Sequence, residues 1–208
     1  MQNTRTSINL SNHIQENFWL YVISLLCIFT GVVLGIYSVK YMANYDKSDL
    51  LGYLNNFSKN ISQGNFKYQS IFIDSIKNNI PLILAIWFLG LTMVGIPIIL
   101  LIDLIKGFTI GFTISFIISN FGTKGIGIAL IGVIPQNLIY IPCVLFSSVV
   151  SMVFSIKLLK NKMNKLGSSS IWVDLISYSL IFLVITMIMF LGFAMEAYLS
   201  PALVKLII

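Results

Sequence analysis

The 208-residue chain is poor in the side chains that do chemistry in soluble enzymes: one histidine, two cysteines, one arginine (Arg5) and seven acids. Only 10% of its residues are charged, against about 25% in a soluble domain. Each shortage excludes something. No His/Cys/Asp/Glu cluster has metal-ligand spacing, so no metal is expected. His13, the sole histidine, lies in the polar N-terminal stretch and reads as a solvated surface residue. It is not available to activate a serine or cysteine nucleophile. Cys27 and Cys143 fall inside apolar runs and read as small apolar residues. The nearest thing to a phosphate loop, "GTKGIG" at 122–127, lacks Walker spacing. No enzyme activity and no cofactor are expected. The net charge of +6 is scattered between apolar runs and not gathered on one polar face, which argues against a nucleic-acid partner. Lys, Asn, Ile, Tyr and Phe are plentiful, a composition expected of an AT-rich bacterial genome.

What the chain has is apolar length: 57% of it is hydrophobic. The expected fold is all-α, a polytopic membrane helix bundle forming one integral membrane domain over 1–208. Residues 1–17 are a polar tail. Residues 18–39, "FWLYVISLLCIFTGVVLGIYSV", are long enough to span ~30 Å of hydrocarbon and lack a small-residue cleavage site, so they read as an uncleaved anchor. Trp19 and Tyr21 mark one interface, Tyr37 and Tyr41 the other. Gly31 and Gly35 form a G-x-x-x-G pair, a pattern common by chance in apolar helices.

Residues 40–77 are the sizeable polar segment. Within it Leu50, Leu51, Leu54, Phe57 and Ile61 repeat at helical spacing, with Asp49 placed to cap. The spacing predicts a short amphipathic helix lying on the membrane or against the spans. Residues 70–76 look like a second apolar-faced turn. Residues 78–120 hold two spans whose junction falls either at Gly95-Ile96-Pro97 or across Asp103 to Gly107. Asp103 and Lys106, three apart near a span end, are placed to pair. "FGTKG" at 121–125 is a tight loop.

From Ile126 to Ile156 the apolar run would extend about 46 Å as a helix, more than one straight crossing needs. Pro135, Gln136, Asn137 and Pro142 interrupt it. One solution is a half-helix, a break at 135–137 and a full span. The other is a single kinked, tilted helix. In the first, Gln136 and Asn137 are expected to hydrogen-bond neighbouring helices or carbonyls freed by the break. Lys157, Lys160, Lys162 and Lys165 make 157–170 the densest basic stretch and mark it as the cytoplasmic loop. Residues 171–195 are the last span, with Ser170 as N-cap, Asp174 in its first turn and Glu196 and Tyr198 closing it. The resulting topology is about five spans plus one broken or re-entrant segment. The N-terminus and the 1–17 tail are inside, the 40–77 segment is outside, and the C-terminus is outside. Five lysines in the 40–77 segment count mildly against that orientation.

At "GFTIGFTISF", "LIGVIPQNLIYIP", "FSIKLLK" and "EAYLSPALVKLI" the chain resembles the stage II sporulation protein M family of endospore-forming, clostridium-like bacteria. The resemblance implies a multi-pass protein of the mother-cell or septal membrane. It would be a scaffold that recruits two peptidoglycan-degrading enzymes, stage II sporulation proteins P and D, for forespore engulfment and cell-wall remodelling. No family-defined binding residues carry over. The residues proposed for structure or partner binding are Pro135, Gln136, Asn137, Leu50, Leu54, Phe57 and Glu196. A small transporter or channel with a discontinuous-helix site is the competing reading. The lipid membrane is a partner in either case, and homo-oligomerisation is left open.

Overall fold

The computed structural model describes residues 10–43, 47–52, 68–92, 94–163 and 169–199. Helices α1 (Leu10–Glu16), α2 (Phe18–Lys40), α3 (Tyr68–Gly90), α4 (Gly95–Gly132), α5 (Ile134–Met163) and α6 (Ser169–Ala194) follow in order, and a π-helical turn, Met195–Leu199, closes the series. Five of them are long and apolar enough to cross a membrane. Their outer faces stay apolar: Trp19, Phe29, Leu138, Val173 and Leu191 are all exposed. A surface of that kind is stable facing lipid. The protein is therefore a multi-pass membrane protein.

α5 is the central element. More than half of its apolar stretch is buried, against less than a third for the other four. A serine row explains how neighbours approach it so closely. Ser147, Ser148, Ser151 and Ser155 are all fully buried. Their hydroxyls donate to Cys143 O (2.7 Å), Asp103 Oδ1 (2.6 Å), Ile86 O (3.1 Å) and Thr92 O (2.7 Å). Small residues that also satisfy their own polarity suit a helix interface in lipid. Around this row α3, α5 and α6 enclose a core of Ile86, Val144, Phe182, Met189 and Phe193. A second layer of Ile99, Val149 and Met152 joins α4 to α5.

α2 and α4 lie side by side and parallel. Contacts climb together along both: Ser24 with Asp103, Ile28 with Gly107, Val32 with Gly111. A Cβ on Gly31, Gly35, Gly107 or Gly111 would fall 2.0–2.3 Å from a backbone oxygen of the facing helix. Two G-x-x-x-G pairs thus interlock, and backbone meets backbone. Gly107 and Gly111 repeat the spacing in "GFTIG", but only the first pair had been assigned to a span.

α3 ends at Gly90 and α4 begins at Gly95, so the span junction lies just ahead of both expected positions, nearer the first; Gly95, Ile96 and Pro97, expected to form the turn, open α4 instead. α3 begins at Tyr68, which places residues 70–76 inside a span-forming helix. Phe72 packs there against Phe190 and Phe193. The short helical stretch 47–52 starts ahead of Asp49, so Asp49 is a first-turn residue and not the cap. Leu54, Phe57 and Ile61 lie outside the described residues.

α4 changes direction at Gly122, whose φ of 57° and ψ of −131° suit glycine alone. The half-helix that follows doubles back, with Gly125 against Ile117 and Ile118. Val133 interrupts it, and α5 then continues in the same direction. Along α4, Tyr140 meets Lys106, Ser148 meets Asp103 and Ser155 meets Thr92. The interruption is a broken segment and not a re-entrant one.

α1 folds back onto the bundle. His13 sits within 3.3 Å of the Tyr21 hydroxyl, its ring centroid 5.8 Å from that of Phe146. The solvated reading of His13 is corrected: it is half-buried. Burial pulls its pKa below the ordinary 6.5, with the Glu16 carboxylate opposing. Asp174 pairs with Lys157 at 2.7 Å, tying α6 to α5.

Candidate functional site

Asp103 and Lys106 are one helical turn apart in the interior of α4, and they do not pair with each other. The proposed Asp103–Lys106 pair assumed a span end at that point. With the junction at 91–94, both residues lie well inside the helix and each finds partners on other helices.

Asp103 is fully buried. Ser24 of α2 donates to Oδ2 at 2.5 Å and Ser148 of α5 donates to Oδ1 at 2.6 Å. The two serines are also fully buried. A carboxyl group at this depth is tolerable only with such partners. The node holds three helices at one level, and below it Ile99, Val149 and Met152 form a dry layer with no exposed surface.

Lys106 points the other way. Its ammonium donates to Asn79 Oδ1 of α3 at 2.8 Å and lies 5.2 Å from the centre of the Tyr140 ring. Tyr140 donates its hydroxyl to Glu196 Oε2 at 2.7 Å. Asn79 in turn donates to Ser75 O at 3.0 Å, so its amide is held with the oxygen toward Lys106. Glu196 stands in the π-helical turn after α6. The widened turn carries its carboxylate back over the bundle toward Tyr140.

These groups line a pocket of about 310 Å³ with Asn78, Thr109, Thr113, Val133, Gln136 and Asn137. Its rim residues Asn78, Ile105 and Thr109 are exposed, whereas Asn79, Gln136 and Tyr140 are buried. Asp103 is not among the groups that line it.

Gln136 and Asn137 sit in the first turn of α5, in the pocket wall. Their amide nitrogens donate to Gly132 O at 2.6 Å and Val133 O at 2.7 Å. The acceptors are carbonyls at the interruption, which lies at Val133; residues 135–137, expected to form the break, are themselves helical. Pro135 occupies the start of that turn, where a missing N–H costs least. Glu196 belongs to the same site. Leu50, half-buried in the 47–52 stretch, is not part of the pocket lining, and Leu54 and Phe57 lie outside the described residues. Lys106, Asn79 and Tyr140 went unrecognised as site residues. A lysine deep in an apolar run was the available signal for the first. Tyr140, four residues after Gln136 and so on the same helix face, was the signal for the last.

Among the described residues no group of three or more His, Cys, Asp or Glu side chains is arranged to hold a metal ion. No curated protein and no solved structure matches the chain. The family described as stage II sporulation protein M matches over residues 24–201, from the serine of the Asp103 node to just past Glu196. The chain therefore belongs to the stage II sporulation protein M family, which gives it a role in sporulation.

Proposed function

We propose that the protein is the membrane scaffold of a sporulation complex. In this reading it recruits and holds the peptidoglycan-degrading stage II sporulation proteins P and D at the septum for forespore engulfment, and is not itself an enzyme. The observation that carries the reading is the fixed placement of the charges within the spans. Each is tied to a partner on another element: Asp103 to Ser24 and Ser148, Lys106 to Asn79, Glu196 to Tyr140. Backbone-to-backbone packing of α2 on α4 removes the slack that a moving gate needs. Such a bundle is suited to presenting surfaces. Catalysis would then belong to partners.

The pocket beside the break in the 126–156 run favours the transport reading in one respect. Discontinuous helices build substrate sites in transporters. A path would have to continue past the Asp103 node, where Ile99, Val149 and Met152 pack with no exposed surface.

The partner surface is assigned to the segment between α2 and α3 together with the exposed span faces. Replacing residues 44–67 by a flexible linker should abolish co-purification of the P-type enzyme from sporulating cells while the protein still accumulates. Retained co-purification with normal engulfment would remove that segment from the interface.

A further inference from the structure

Lys106 and Glu196 pose a problem in charge placement. They line one pocket, yet they do not close on each other. Among the described residues the ion pair within 4.0 Å is Lys157–Asp174. Two opposite charges at membrane depth gain most by direct contact. Here each is held by one internal partner and stops short of the other. Lys106 uses one N–H on Asn79 and keeps two. Glu196 gives one oxygen to Tyr140 and keeps the second. The space between is a polar pocket of about 310 Å³, within the range of small-ligand sites.

The pocket is also asymmetric. On one wall the Lys106 ammonium reaches in beside the first turn of α5. That side suits an anion. The opposite side holds the Glu196 carboxylate and suits a cation. A single group that carries both charges, a few ångströms apart, satisfies the two at once.

The rim says how such a group arrives. Exposed Ile105 beside exposed Thr109 and Asn78 gives the mouth an apolar and a polar lip. Within about a turn of the rim, α3 turns polar, with Asp74 and Lys77 exposed. From the mouth, polar side chains thus continue along α3 toward its N-terminal end.

We infer that the Lys106–Glu196 pocket binds a phosphate ester carrying a cationic amine, with the phosphate on Lys106 and the amine on Glu196. The same chemistry comes from a zwitterionic phospholipid headgroup or from a soluble amino-alcohol phosphate. In the lipid case the acyl chains leave past Ile105.

The full chain, purified in detergent, is loaded with equimolar phosphatidylethanolamine and phosphatidylglycerol and examined by native mass spectrometry. Retention of phosphatidylethanolamine over phosphatidylglycerol by about tenfold is expected, the factor that one charge-assisted hydrogen bond supplies. Glu196→Gln should erase the preference. Lys106→Met should lower retention of both lipids. Should either variant fail to fold, the wild-type protein still decides, because only a primary amine donates hydrogen bonds to Glu196. Phosphatidylethanolamine must then be retained over phosphatidylcholine. Displacement by free phosphoethanolamine assigns the site to a soluble source, and retention against it assigns the site to lipid. Equal retention of the zwitterionic and anionic lipids, or a preference for phosphatidylglycerol, overturns the proposal. So does a preference that survives Glu196→Gln in a folded protein.

Discussion

At the scale of single residues, the Asp103 node shows how a charge can sit in an apolar bundle. Each carboxylate oxygen has a hydroxyl donor, and the donors come from different helices. Removing one donor leaves an acceptor that no water reaches. Ser148→Ala is therefore expected to cost about 1–3 kcal/mol, or more if the group is ionised. The loss should appear as a lowered melting temperature in detergent. Replacing the whole node, Ser24→Ala and Ser148→Ala with Asp103→Leu, removes the orphaned acceptor too. That triple variant should recover part of the loss. A triple variant less stable than Ser148→Ala alone would mean that the node contributes net stability and not only helix register. Much of this chemistry was legible in the sequence as isolated polar letters. Asp103 and Lys106 stood out, but their partners did not. Ser24, Ser148 and Asn79 are chosen by three-dimensional packing, and nothing in their local spacing announces it.

At the scale of elements, spans and the break near Pro135 followed from apolar length and proline chemistry. The seam between α2 and α4 did not. Gly31 and Gly35 were readable as a pair, while Gly107 and Gly111 were hidden in a run whose span boundaries were unresolved. Without the boundary at 91–94, no one face of α4 could be assigned. The seam is also where substitutions should be felt most. A methyl group on Gly107 would meet the Ile28 carbonyl oxygen at 2.0 Å, and backbone cannot rotate away as a side chain can. Gly107→Ala is expected to destabilise by about 1–3 kcal/mol through overpacking. Gly122→Ala acts differently. No atom lies within 4 Å of its would-be Cβ, so the cost is conformational, about 1 kcal/mol or more from the positive φ. Thermal scans of the two variants in detergent measure both losses. Thinning the facing residue does nothing for either, and a ψ of −131° lies outside the left-handed region that asparagine tolerates, so Gly122→Asn should lose about as much as Gly122→Ala. Full stability in either variant would show that the backbone at 122 is not the constraint.

At the scale of the whole molecule, five crossings place Lys124 and Lys160 on opposite faces, because the returning run from 123 to 163 crosses once between them. Which face is cytoplasmic is a separate matter of charge. Lys157, Lys160, Lys162 and Lys165 lie close together beside a span end, and short basic loops are retained inside. The five lysines between Lys40 and Lys77 pull the other way. They weigh less, because they are spread over a longer stretch and partly offset by Asp46, Asp49 and Asp74. Lys77 is moreover a residue of α3 itself and not of a free loop. Clustered lysines should therefore prevail, with Lys160 inside and Lys124 outside. Lys124 and Lys160 are both exposed, so single cysteines there report cleanly once Cys27 and Cys143 are replaced by alanine. In intact cells a membrane-impermeant thiol reagent should label Lys124→Cys and leave Lys160→Cys untouched until the membrane is opened. The reverse pattern would invert the bundle. It would put the 44–67 segment in the cytoplasm, out of reach of enzymes that act on the wall, and the scaffold reading would lose the surface on which it depends.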